Sequence, residues 1–106
     1  MAIYKRRDVQ RVLKRKFSFA PSENDHSWYH LVVDGAVIAA TFVASGGHGG
    51  DIDDSLQLLM ARELHLDKVS EFRRAIDCPM TREEYYKRLA KRNPQMSQQI
   101  LDAIGQ

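Results

Sequence analysis

Cysteine is almost absent from this chain, which contains only Cys78. A single cysteine excludes an intramolecular disulfide and a zinc site built from several thiolates. No nucleophile motif surrounds Cys78, so we interpret it as a small, inert side chain. The histidines and aspartates that are present do not have the spacing of a recognised ligand set. We therefore expect neither a metal nor another cofactor.

Long apolar runs are also missing. The longest, Ala36 to Val43 with Thr41 inside it, is far too short to span a bilayer. The first residues, Met-Ala-Ile-Tyr-Lys-Arg-Arg, lack the apolar stretch of a secretory signal, so we expect a cytoplasmic protein without membrane contact. With 106 residues, 43% hydrophobic and 28% charged, the chain is predicted to form one soluble globular domain over 1–106.

The net charge of +2 hides an uneven distribution along the chain. Residues 1–16 contain seven cations and a single carboxylate, Asp8, whereas residues 17–81 contain four cations and ten carboxylates. A cationic N-terminal segment indicates an anionic partner, with nucleic acid the first candidate. A solvated helix face without a partner is an open alternative, and the acidic middle of the chain argues against a nuclease.

The dipeptide Asp34-Gly35 is the clearest local signal, because it supplies the positive φ angles of a type I′ turn between strands at 27–33 and 36–43. A two-residue loop sets the register of the hairpin. The pairs predicted for its more apolar face are Val33 with Ala36, Leu31 with Ile38 and Tyr29 with Ala40. The pairs predicted for the opposite face are Val32 with Val37, His30 with Ala39 and Trp28 with Thr41. We expect the apolar face to pack against helices.

Apolar residues at helical spacing predict several helices after the hairpin. The stripe of the first of these is Leu56, Leu59, Met60 and Leu64. Asp67 is a candidate cap for the next helix, which Pro79 ends. A capping box at residues 81–84 opens another helix, Asn93-Pro94 breaks it, and a last helix reaches Gly105.

The order of elements predicts the fold class. A helix over 7–15 and a brief strand over 17–19 precede the hairpin, so the order over residues 5–66 is α-β-β-β-α, followed by a helical extension over 67–106. This order indicates a two-layer α+β architecture with a three-stranded antiparallel sheet. It is the topology of double-stranded-RNA-binding domains, which the chain resembles in this respect.

The same region, residues 5–66, also resembles the HicA toxins of bacterial toxin–antitoxin pairs. Those proteins have an opening helix, a short aromatic strand, a Gly-Ser-His-His-x-Phe-like stretch, a His-Gly loop and a closing Leu-rich helix. The matching stretches here are Val9 to Phe19, His26-Ser-Trp-Tyr29, Thr41-Phe-Val-Ala-Ser45, His48-Gly-Gly-Asp-Ile52 and Ser55 to Leu64. The resemblance implies a metal-independent ribonuclease controlled by an antitoxin-like protein partner.

The catalytic histidine of that family falls on His26 of this chain. Asn24-Asp25 stands where the family has Gly-Ser, and Ser27 replaces the second histidine. The neighbouring aspartate can orient the His26 imidazole or raise its pKa. Because cleavage of RNA needs a base for the 2′-hydroxyl and an acid for the leaving oxygen, we expect His26 to act with His30 or His48.

Binding residues are predicted beside these histidines. Trp28, on the same predicted strand face as His26 and His30, can stack an RNA base. The cations expected to hold phosphates are Lys5, Arg6, Arg7, Arg11, Lys14 and Arg15. An equal alternative is that the C-terminal helices cover Trp28, and the glycine-rich loop around His48 is either an anion site or a plain connector.

Two further classes of function stay open on the sequence alone. One is a non-catalytic RNA-binding or protein-interaction module on the same fold, for which a homo-oligomer is one form. The other is a structural role in a larger assembly.

Overall fold

The fold, given by a computed structural model, is described for residues 4–23, 27–43, 51–77 and 79–105. In chain order the elements are β1 (Tyr4–Lys5), α1 (Arg6–Arg15), β2 (Ala20–Pro21), β3 (Trp28–Val33), β4 (Ala36–Phe42), β5 (Asp51–Ile52), α2 (Asp54–Glu63), α3 (Val69–Ile76), α4 (Arg82–Arg92) and α5 (Ser97–Asp102). Short 3₁₀ turns precede and follow α5. The predicted α+β class and three-stranded antiparallel sheet are confirmed within these residues. His26, His48 and Cys78 lie outside them.

The hairpin of β3 and β4 has the predicted turn but a different register. Asp34 and Gly35 have φ angles of 50° and 80°, as a type I′ turn requires. The pairs next to the turn are as predicted, but a bulge between Leu31 and Val32 leaves Ile38 as an extra residue on β4. Beyond the bulge the observed pairs are Leu31 with Ala39, His30 with Ala40, Tyr29 with Thr41 and Trp28 with Phe42.

The bulge changes which side chains of β4 face the core. Because strand side chains alternate, one extra residue moves every later side chain to the opposite face. Thr41, predicted beside Trp28, is instead fully buried, and its hydroxyl donates to Glu63 Oε1 at 2.9 Å. Phe42 takes the predicted place of Thr41. The apolar face of β3 is as predicted, with Tyr29, Leu31 and Val33 all buried.

The segment before the sheet differs from the prediction of a strand over 17–19. Phe17 and Phe19 are both buried, and Ser18 between them has a φ of 65°, which no extended strand contains. Phe17 and Phe19 alternate with Ser18 because both rings enter the core from a bend in the chain, not because the segment is a strand. The edge strand β2 comes directly afterwards, with Ala20 paired to His30 and Pro21 to Tyr29.

Two very short strands, not predicted from the sequence, connect the N-terminus to the start of α2. Tyr4 pairs with Ile52 and Lys5 with Asp51 in an antiparallel ladder. The helix α2 begins at an aspartate cap, since Asp53 accepts a hydrogen bond from the backbone N–H of Leu56 at 3.0 Å. This ladder ties the residues just before α1 to the segment that leads into α2.

The buried stripe of α2 is shifted from the predicted one. Met60 and Leu64 are buried, but Leu59 is 51% exposed and Gln57 is fully buried. The Gln57 amide is held on both sides, because Nε2 donates to Ile52 O and Oε1 accepts from Arg73 Nε. Inside the core, this hydrogen-bonded amide stands where the periodicity of the sequence predicted an apolar side chain.

The C-terminal helices extend the same core. Thr81 caps α4 as predicted, its Oγ1 accepting from the Glu84 N–H at 3.0 Å. The predicted cap at Asp67 is wrong, since Lys68 precedes α3 at the cap position and makes no side-chain bond there. The Tyr86 hydroxyl donates to Phe17 O at 2.7 Å, so α4 packs against the segment between α1 and β2.

The longest of the described helices, α4, has 11 residues. Within the described ranges, none is both long enough and apolar enough to cross a bilayer.

Candidate nucleic-acid interface

A row of cations lies on the side of α1 that faces away from the core. Val9 and Leu13 are buried, and a period of 3.6 residues puts Arg7, Arg11 and Lys14 on the opposite side. Together with Tyr29 of β3 they line a shallow groove of about 320 Å³. The residues lining this groove, the α1 groove, are Arg7, Gln10, Arg11, Lys14, Arg15 and Tyr29.

Little negative charge balances the α1 groove. Asp8 lies 3.1 Å from Arg11 Nη2 and 4.0 Å from Arg7 Nε, and all three side chains are substantially exposed. Lys14 and Arg15 make no ion pair or hydrogen bond with any part of the chain that the structure describes. At an exposed site a pair such as Arg11–Asp8 is weak. The groove therefore presents a net positive surface to an anion.

The other predicted phosphate contacts lie elsewhere. Lys5 Nζ is 3.0 Å from Asp51 Oδ1, across the β1–β5 ladder. Arg6 Nε donates to Val43 O at 3.4 Å, at the end of the sheet where β3 begins and β4 ends. The structure thus brings four of the six predicted cations into one groove and separates Lys5 and Arg6 from it.

Aromatic rings cluster on the outer face of the sheet, opposite the buried one. The residues of this outer sheet face are Ala20, Trp28, His30, Val32, Val37, Ala40 and Phe42. Trp28 and His30 have near-parallel rings, at 11°, with centroids 6.4 Å apart. The Phe42 ring stands edge-on to Trp28, at 66° and 5.5 Å. Phe42 was missed from the sequence because the bulge could not be read there.

The helical extension does not cover this outer sheet face. Val32 and Val37 are 53% and 59% exposed, and Trp28, His30 and Phe42 are half-buried. The Trp28 ring is partly exposed, and its ring contacts are to His30 and Phe42 of the same sheet face. The helices enlarge the core on the other side of the sheet.

The predicted catalytic histidines are only partly described. His30 lies on the outer sheet face beside Trp28. His26 and His48 lie outside the described residues, so one member of the predicted acid–base set is seen. His65, not considered from the sequence, lies just after α2, and its Nε2 is 3.2 Å from the backbone oxygen of the bulge residue Ile38. Among the described residues no group of three or more histidine, cysteine or carboxylate side chains could hold a metal ion.

A second cationic groove, of about 470 Å³, follows α4. Its lining residues are Glu84, Lys87, Arg88, Lys91 and Arg92. Three of its four cations have a carboxylate partner: Arg88 pairs with Glu71 and Arg92 with Asp67, both from the α3 side, and Lys87 with Glu83 of α4 itself. The hydrogen bond from Arg92 lowers the pKa of the Asp67 carboxyl. The ion pairs to Glu71 and Asp67 tie α4 to the α3 side.

Comparison of the chain with protein-family models, curated proteins and solved structures found no match.

Proposed function

We propose that the protein binds RNA and that the α1 groove holds the phosphate backbone. The observation that carries this proposal is the row of Arg7, Arg11, Lys14 and Arg15 in one groove, two of them without a protein partner in the described chain. Guanidinium and ammonium groups form charge-assisted hydrogen bonds with phosphate oxygens. The α4 groove has a smaller surplus of positive charge, because carboxylates from the α3 side pair with two of its arginines.

The length of the row favours a polyanion over a single phosphate. Eight residues separate Arg7 from Arg15, which corresponds to roughly 12 Å along the helix axis. One phosphate group fills only a fraction of that length. A chain of phosphates can contact several of the cations at once.

We propose RNA and not DNA as the ligand because the order of helices and strands resembles that of RNA-related families. Apart from the two-residue strands β1 and β5, the elements up to α2 follow the order α1-β2-β3-β4-α2, the order that suggested the resemblance to double-stranded-RNA-binding domains and HicA toxins. Lys5 and Arg6 lie outside the groove, so the proposal assigns them no groove contact.

The first test measures RNA affinity at several salt concentrations. A labelled oligoribonucleotide is titrated by fluorescence anisotropy with wild type and with the double variant Arg11→Gln/Lys14→Gln. An exposed charge contact contributes up to about 1 kcal/mol, so losing two should weaken binding roughly tenfold. The slope of log affinity against log salt should also become shallower, by about 0.7 to 0.9 for each phosphate contact removed.

The matched control is Lys87→Gln/Lys91→Gln, which removes the same charge from the α4 groove. It should leave affinity and salt slope almost unchanged. Equal weakening by the two double variants would show that only net charge matters and would contradict the assignment to α1.

Ribonuclease activity centred on His26 is a separate proposal that rests on the HicA resemblance. The same RNA, incubated with chelator and resolved on a denaturing gel, should be cut by wild type. In His26→Ala the rate should fall by roughly a hundredfold or more, the usual effect of a general acid or base. Intact RNA after incubation with folded wild-type protein would reject catalysis and leave the binding proposal standing. An antitoxin-like partner is proposed on the same resemblance.

A further inference from the structure

The outer sheet face carries three aromatic rings in a defined arrangement. Trp28 and His30 are two residues apart on one strand, so their rings project from the same face. The two planes differ by 11°, and the edge-on contact from Phe42 holds Trp28 from the neighbouring strand. Rings held parallel and partly exposed at the surface offer flat faces to a planar ligand.

We propose that this face is a base-stacking site for unpaired nucleotides of single-stranded RNA, with Trp28, His30 and Phe42 as the contacts. The inference rests on the proposed RNA binding and adds a second contact site to it. Bases stack on aromatic side chains through their π faces, which every base has.

Single-stranded RNA is the expected ligand because only unpaired bases expose their flat faces. In a duplex the flat faces of the bases are covered by their neighbours in the stack, so a sheet face cannot reach them. Unpaired nucleotides can turn a base out onto a ring. The α1 groove contacts phosphates, which both forms of RNA expose, so only the outer sheet face discriminates between them.

Charge at this face suits a nucleic acid. The described sheet residues on it include no carboxylate. Arg6 lies at Val43 O, directly after Phe42, and so places a cation at the sheet end that carries the rings. A protein partner would instead use the two exposed valines, Val32 and Val37, which lie at the turn end of the hairpin. The parallel rings at the other end favour the base.

Trp28 is the only tryptophan of the chain, so intrinsic fluorescence reports directly on this site. Wild-type protein is titrated with an unstructured oligoribonucleotide and with a duplex of the same sequence. Total binding is followed in parallel by anisotropy of a label on the RNA. We expect the single strand to quench Trp28 in step with binding, and the duplex to bind without quenching.

Variants separate stacking from phosphate contact. Trp28→Leu should weaken binding of the single strand roughly five- to a hundredfold and leave binding of the duplex unchanged. His30→Ala, which keeps the fluorescent reporter, should reduce both single-strand affinity and the extent of quenching. Val37→Ala, at the turn end of the same face, is the matched control and should change neither. Far-UV circular dichroism checks that each variant is folded.

The outcomes distinguish this inference from the proposed function. Single-strand binding without a change in Trp28 fluorescence, and unaltered in Trp28→Leu, would overturn the stacking site while RNA binding stands. Absence of binding by either RNA would overturn both. A change in Trp28 fluorescence with protein concentration alone, accompanied by a doubled mass in solution, would show that a second copy covers this face and would also overturn the inference.

Discussion

Thr41 shows at the scale of a single residue how one inserted position changes a side chain's role. The turn alone places it outward, beside Trp28. The observed register buries it completely, and Glu63 Oε1 accepts both from its hydroxyl, at 2.9 Å, and from the Phe42 N–H, at 3.3 Å. The carboxylate thereby ties α2 to the end of β4 that presents the Phe42 ring. The Thr41 hydroxyl therefore contributes to the packing of the fold and is not available to a ligand at the surface.

We expect Thr41→Val to destabilise the protein by about 1 to 3 kcal/mol, because it removes one donor from a partly buried carboxylate. The free energy of unfolding in urea measures this. Thr41→Ser keeps the hydroxyl and serves as the control for the hydrogen bond. Valine is a favourable residue on an exposed strand face, so an equal or higher stability of Thr41→Val would support the register read from the turn.

At the scale of elements, α1 and α4 have similar sequences and different surfaces. Each is short, amphipathic and rich in arginine and lysine. Beside α4 runs α3, and three ion pairs join them in antiparallel order, Asp67 with Arg92, Glu71 with Arg88 and Arg74 with Glu84. Among the described residues, the α1 groove has only Asp8, from the helix itself, as a carboxylate partner. Local sequence shows only the Glu83 partner of Lys87, because the carboxylates that pair with Arg88 and Arg92 come from the α3 side.

At the scale of the whole molecule, the C-terminal helices and the sheet share one set of buried contacts. The Phe17 and Tyr85 ring centroids are 4.7 Å apart, and the Tyr85 hydroxyl donates to Leu64 O at 2.9 Å. Burial raises the pKa of both the Tyr85 and Tyr86 hydroxyls, which stay protonated where they bond backbone oxygens. The extension is therefore packed onto the first part of the chain by large side chains from both.

From this packing we expect the extension and the sheet to unfold together. Leu89 of α4 is fully buried, and Leu89→Ala should cost about 2 to 5 kcal/mol. Trp28 fluorescence reports the sheet and far-UV circular dichroism the helices, and both urea transitions should move by the same amount. Lys91→Ala, an exposed change on the same helix, should move neither by more than about 0.5 kcal/mol. A helical transition that shifts alone would show that the extension unfolds independently.

The sequence by itself determined the features that depend on neighbours within a few residues. These are the type I′ turn at Asp34-Gly35, the cap at Thr81, the amphipathic α1 with its cations outward, and the α+β class that follows from the order of elements. Each reflects backbone geometry or helical period, which local residue types dictate.

Only the tertiary structure decided the features on which the candidate site depends. The bulge at Ile38 puts Phe42 beside Trp28 and Thr41 inside, and the His65 ring, just after α2, contacts the Ile38 oxygen. The free charge of α1 and the neutralised charge of α4 depend on which carboxylates fold against them. The outer sheet face is open because the helices pack against the inner face of the same sheet. Each is a contact between residues far apart in the chain, and no local pattern encodes such a contact.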